Sequence, residues 1–194
     1  FYYKPRMDRE LLAEYGKGII ALSGCPSGEM HHMLVEDRYD DAKQLAGFFG
    51  DVFDGFYLEV MRHDEPEIAA QCDKALAGLV RLSKDMNIPL VATNDSHYTV
   101  RDDASIHDVL LCIGTNTTVN DPKRQLKMND TSYYVKSEEE MLALLPELPE
   151  AVTNTQLVAE QCNLELEFGR LHLPEMETPK GKTPHEHLTD LSRE

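Results

Sequence analysis

Cys25, His63, Asp95 and His97 are the residues whose types and settings allow chemistry. Each follows closely on a short apolar run: Cys25 after Gly18-Ile19-Ile20-Ala21-Leu22-Ser23, His63 after Phe56-Tyr57-Leu58-Glu59-Val60-Met61, and Asp95 and His97 after Leu90-Val91-Ala92-Thr93. In an extended segment residues i and i+2 face the same side. Asp95-x-His97 therefore aims a carboxylate and an imidazole at one point, a donor pair for a divalent metal. A Cys25 thiolate adds a soft ligand and biases the choice toward zinc, while Asp with His also accepts manganese or iron. Plainer readings stand beside these. Asp95 can cap its loop, His97 can be a hydrogen-bonded buried histidine, and Cys25 can be a buried apolar thiol. His63 divides evenly between a surface residue and one lining a site. His107 and Cys112 fall in an apolar helical pattern and read as core. His31 and His32 are helical neighbours and do not face one ion. His172, His185 and His187 lie in a connector or tail and read as bystanders.

Other chemistries find no support. There is no glycine-rich phosphate loop and no Gly-x-Ser-x-Gly. Asp102 and Asp103 are adjacent and share no face, and no Asp-x-Asp sits where a two-metal polymerase site needs it. The formal charge is −16, from 19 basic and 35 acidic residues. Duplex binding draws on clustered Lys and Arg, and no such cluster is present. The four cysteines, at 25, 72, 112 and 162, form no Cys-x-x-Cys pair, which argues against a zinc ribbon or a disulfide scaffold. Reduced thiols suit a cytoplasmic setting. No apolar run approaches the ~20 residues of a membrane span, and no signal peptide is evident. The chain opens at Phe1 and closes at Glu194 within a helical pattern, so both ends read as cut from something longer.

The elements that must position these residues follow from pattern. Asp8 caps a helix from Arg9 to Tyr15, closed by Gly16. Residues 18–23 read as a buried strand. Ser27 or Gly28 opens a helix to Val35, and Asp37 caps another ending near Gly50. Phe56–Met61 is a second strand. Ile68, Cys72, Ala75, Leu76, Leu79, Val80 and Met86 mark a long amphipathic helix, and Leu90–Thr93 a third strand. Strands alternating with helices predict a parallel sheet. Asp102 or Asp103 then caps a helix through His107, Leu110, Leu111 and Ile113, stopped by Gly114. A short strand is expected over Ser132–Val135, then a capping box at Ser137 to Glu140 opening a helix, then a helix from about Glu147 to Cys162. Residues 168–185, rich in Pro, Gly and Lys, read as an extended connector.

Several blocks resemble a known family. They are Phe1-Tyr2-Tyr3-Lys4-Pro5-Arg6-Met7-Asp8, Leu22-Ser23-Gly24-Cys25-Pro26-Ser27-Gly28-Glu29, Phe56 to His63, Val91 to Tyr98, His107 to Ile113, Tyr133 to Met141 and Leu148 to Thr155. In order and along nearly the whole chain, they resemble the C-terminal part of the polymerase and histidinol phosphatase (PHP) domain of bacterial C-family replicative DNA polymerases. The resemblance implies an α/β fold: a partial PHP-type distorted (β/α) barrel holding only the later strands, followed by a mainly helical segment and an extended connector. It implies boundaries at 1–105 for the second half of the barrel, 106–167 for the helical end, and 168–194 for a connector toward the polymerase palm. Cys25, Asp95 and His97 match the family's metal ligands, with His63 as possible lining. The remaining family ligands come from earlier strands that are not in this chain. One divalent ion (zinc or manganese), or none, is therefore expected here, and the piece alone is expected to be inactive.

For the intact parent the resemblance implies DNA synthesis from deoxynucleoside triphosphates. A 3′–5′ exonuclease or phosphoesterase role for the metal module, a sliding clamp and proofreading subunit as partners, and a cytoplasmic location go with it. Two alternatives stand beside this reading: a free-standing PHP phosphoesterase acting on a small phosphate ester, and a purely structural docking module. The stretch from His107 to Thr155 favours the polymerase over the free-standing hydrolase. If the barrel lacks its early strands, the first strand has an open edge, which invites self-association.

Overall fold

The structure is a computed structural model that describes residues 5–63, 66–128, 130–171, 173 and 177–193. Phe1 to Lys4, Asp64 and His172 therefore lie outside the described residues. The chain divides into two compact units, Phe1–Cys162 and Asn163–Glu194.

The first unit is built on a small parallel sheet in the order β1-β2-β3, with β1 Ile20–Leu22, β2 Gly55–Val60 and β3 Leu90–Ala92. Ile20 pairs with Gly55, and Leu58 with Leu90. Two helices, α2 (Glu29–Val35) and α3 (Tyr39–Val52), cross from β1 to β2, and α4 (Pro66–Met86) crosses from β2 to β3. Parallel neighbours require such crossovers. Along β2 the pleat separates two sets. Phe56, Leu58 and Val60 enter the hydrophobic core with Met30 and Leu34 of α2, Leu45 and Ala46 of α3, and Ala75, Leu79 and Leu82 of α4. Tyr57 and Glu59 point to the other face.

The chain before the sheet carries α1 (Arg9–Tyr15), whose Asp8 cap accepts from the Leu11 amide at 3.0 Å. After the sheet come a 3₁₀ turn at Arg101–Asp103 and α5 (Ala104–Thr115). Next is α6 (Glu138–Leu144), opened by the reciprocal Ser137–Glu140 capping box, and then α7 (Pro149–Gln161). Helix α7 lies along β3, and Asn154 Nδ2 donates to the Leu90 carbonyl at 2.7 Å. In the second unit the described residues hold irregular backbone and α8 (Pro184–Leu191), capped by Thr183.

Four expectations need correction. The first strand is not buried. Only three residues pair, Ile19 and Leu22 are exposed, and among the described residues β1 has a sheet neighbour on one side only. Asp37 caps nothing: it takes a left-handed φ of 61° and pairs with Lys74 at 2.8 Å, so α3 starts at Tyr39 behind Arg38. On α5 the core reading holds for Cys112 but not for His107. That helix packs chiefly on the preceding 3₁₀ turn and buries Cys112 alone, leaving Ile106, Val109, Leu110 and Ile113 exposed, with His107 half-buried. The strand expected at 132–135 is reduced to one isolated parallel bridge, Tyr98 to Tyr134. The Tyr133 carbonyl accepts backbone amides, while side chains occupy its neighbours, as with Asn94 on the Tyr134 carbonyl.

Leu58 sits fully enclosed at the middle of the central strand. Leu58→Ala should cost about 2–5 kcal/mol, read as a lowered urea midpoint with an unchanged denaturant slope.

Candidate metal centre

The three strands end side by side, and one carboxylate ties their ends together. Glu59 of β2 accepts from the Gly24 amide through Oε2 at 3.0 Å and from the Thr93 hydroxyl through Oε1 at 2.5 Å, while its own amide donates to Ser23 Oγ at 2.8 Å. Gly24 holds φ at 94°, a backbone state that glycine adopts without strain. That turn aims its amide at Glu59 and delivers Cys25 directly after. Thr93 stands two residues before Asp95. The clamp thus fixes where two of the three chemistry-bearing segments begin. Sequence reasoning passed over Glu59; the available signal was a lone charge inside an apolar six-residue strand.

Beyond Thr93 the chain has no regular structure until the Tyr98 bridge, and a second segment holds it. His97 and Tyr98 donate their amides to the Tyr133 carbonyl at 2.8 and 3.3 Å. Asn94 Nδ2 donates to the Tyr134 carbonyl at 2.6 Å, and Lys136 Nζ donates to Asn94 Oδ1 at 2.9 Å. His97 Nε2 lies 3.1 Å from Asp95 Oδ1. The His97 ring also stands 5.7 Å from Tyr133 and 5.5 Å from His107. Tyr133 and His107 are therefore neighbours of the candidate pair that spacing did not pick out.

Cys25, His63 and Asp95 line one cavity of about 170 Å³, together with Ser27, His32, Gln71 and Tyr133. Cys25 is exposed and His63 is buried with its ring 5.3 Å from Tyr133. His97 is bonded to Asp95 but is not among the described residues lining this cavity. Among the described residues no three His, Cys, Asp or Glu side chains converge closely enough to hold an ion. Cys25, His63 and Asp95 are thus donors of a type that suits a divalent metal and share one cavity, but they do not converge on one point, and His97 stands outside that cavity.

Two nearby groups are tuned by burial. Burial pushes the Cys72 thiol up to about 11, so it stays protonated at neutral pH and serves the core. Burial, with His32 adding repulsion, holds His31 below the usual 6.5, and its enclosed Nε2 has no hydrogen-bond partner among the described residues. His32 is exposed. His185 and His187 belong to α8 in the second unit.

Residues 1–63 match the PHP domain family model. Over its full length the chain is 40% identical to the DNA polymerase III subunit alpha of Borreliella burgdorferi, of which it covers 17%. Over 99% of its length it is 37% identical to the same subunit of Thermus aquaticus, covering 16% of it. Over 87% it is 40% identical to that of Campylobacter jejuni, covering 14%. The chain thus spans less than a fifth of these curated relatives. No helix among the described residues is long and apolar enough to cross a membrane.

Two outcomes follow from this geometry. Glu59→Ala leaves the Gly24 amide and Thr93 hydroxyl without their acceptor and should cost about 1–3 kcal/mol; Glu59→Gln should recover part of it in the same unfolding measurement. His31 takes up a proton less readily folded than unfolded. Its contribution is therefore fully present above the unfolded value of 6.5 and is lost as pH falls below it. The decline of the urea midpoint between about pH 7 and pH 5 should be shallower in His31→Gln.

Proposed function

We propose that this chain, matched by the PHP model at its start and similar throughout to DNA polymerase III alpha subunits, is the metal-binding PHP portion of such a polymerase. Its parent is a DNA-directed DNA polymerase acting in the cytoplasm on DNA and deoxynucleoside triphosphates, with a sliding clamp and a proofreading subunit as partners. Residues 1–105 supply the later strands of a distorted (β/α) barrel, 106–167 its helical end, and 168–194 the connector toward the palm.

The carrying observation is the gathering of Cys25, His63 and Asp95 around one cavity where three parallel strands end. Active sites of parallel α/β folds collect at such ends. In this reading Cys25, Asp95 and His97 hold the ion and His63 lines the site. A bound divalent ion would acidify a water and draw charge from a phosphoryl oxygen, the chemistry of phosphoester hydrolysis. Asp95 orients the His97 imidazole through their hydrogen bond, and Cys25 sets the softness of the donor set. Because the described donors do not converge on one point, we assign exonuclease or phosphoesterase activity to the intact parent and none to this chain alone.

A docking role runs alongside. The exposed Ile106, Val109, Leu110 and Ile113 lie at i, i+3, i+4 and i+7 on α5, and β1 is a sheet edge. Both features suit a module that packs against further protein.

The test is metal content by elemental analysis with calorimetric zinc and manganese titrations. Asp95→Ala and His97→Ala should each weaken binding on the order of tenfold or more. Equal metal in wild type and both variants, or none in any, would sink the ligand assignment. The chain alone should not trim primer ends; brisk metal-dependent cleavage would overturn its assigned inactivity.

A further inference from the structure

The residues that hold a metal-competent loop in place matter as much as the donors. Asp95 and His97 lie on irregular backbone. Nothing in a β or α ladder sets their directions, so the neighbouring chain must.

We propose that Tyr133 is the positioning residue of the Asp95-x-His97 loop, acting from a strap formed by residues 132–136. This rests on the metal-centre reading above. Three observations carry it. The strap brackets the donor pair on both sides: Asn94, just before Asp95, is held by the Tyr134 carbonyl at 2.6 Å and Lys136 at 2.9 Å, and the amides of His97 and Tyr98 are held by the Tyr133 carbonyl. The Tyr133 ring, 4% exposed, meets both histidines of the site. It stands 5.3 Å from His63 and 5.7 Å from His97, edge-on to the latter at 82°, and it lines the same cavity as Cys25 and Asp95. The edge-on arrangement is a favoured one for π systems, so the ring fixes the plane of the imidazole as the carbonyl fixes its backbone.

The strap is itself anchored. Arg101 lies 4.9 Å over the Tyr134 ring and donates to its hydroxyl at 3.1 Å, and that hydroxyl donates to Glu140 Oε1 at 2.5 Å in the first turn of α6. Lys136 Nζ also closes back on the Ser132 carbonyl. Glu140 in turn belongs to the Ser137 capping box. The direction of His97 is thus referred, through Tyr133 and Tyr134, to a capped helix rather than to the sheet. Outer partners of this kind orient ligands and set metal affinity without touching the ion.

The test uses Tyr133→Leu, which keeps apolar bulk but removes the ring, and Tyr133→Phe, which keeps the ring. Amide hydrogen exchange at His97 and Tyr98 is read against the β2 amides as an internal standard, and zinc affinity is read by calorimetry. Tyr133→Leu should speed exchange at His97 and Tyr98 and weaken zinc binding, each by about tenfold, with β2 unchanged, while Tyr133→Phe restores both. Asn94→Ala, which cuts the strap outside the core, should shift both readouts in the same direction and serves if Tyr133→Leu fails to fold. Unchanged exchange at His97 and Tyr98 in Tyr133→Leu and Asn94→Ala overturns the proposal. So does exchange that rises equally in β2, or a Tyr133→Phe as impaired as Tyr133→Leu. A wild type that binds no zinc while the exchange pattern stands overturns the metal-centre reading and upholds the strap.

Discussion

The Glu59 carboxylate sits between the ends of neighbouring strands and spends both oxygens on them, one on the Gly24 amide and one on the Thr93 hydroxyl. A carboxylate inside an apolar strand is costly unless its acceptors are filled. Here they are filled by the groups that precede Cys25 and Asp95. The same residue therefore satisfies its own burial and sets the spacing of the candidate site. Among the described residues the sheet is three strands wide, with β2 between β1 and β3. Beside the backbone bonds of the Ser23 amide to Tyr57 and of the Thr93 amide to Val60, Glu59 adds a side-chain link from β2 to the segments that lead to Cys25 and Asp95.

The two edges of this sheet are treated differently. On the β3 side, α7 covers the strand and Asn154 satisfies the Leu90 carbonyl. On the β1 side a strand of three residues ends on the exposed Leu22 and follows the exposed Ile19. Unpaired strand edges and contiguous apolar surface are the features that recruit other protein. The open β1 edge and the apolar stripe of α5 lie on a chain similar to a stretch that forms less than a fifth of its curated relatives.

Much of the framework was legible because local rules and tertiary demands agree. The Asp8 cap, the Ser137 capping box, the long stripe of α4 and the three apolar runs all appear within a few residues of their expected bounds. Local and global demands part company elsewhere. Asp37 had the type of a cap but was drawn into a left-handed turn with Lys74 as partner. The α5 pattern had the period of a core helix, yet period reports only that a face is apolar, not that something in the chain covers it.

The sequence by itself determined the alternation of strand and helix, the parallel sheet, and the placing of Cys25, His63, Asp95 and His97 just after strands. It did so because side-chain period and turn chemistry are properties of neighbours along the chain. It also carried the ordered blocks by which the chain resembles the replicative polymerases. Only the tertiary structure decided that Cys25, His63 and Asp95 share a cavity, that His97 turns toward Asp95 and Tyr133, that Glu59 joins the strand ends, and that β1 is an edge. Apart from the Asp95–His97 bond, these depend on contacts between residues some 30 or more apart in sequence, and no local pattern encodes which distant group arrives.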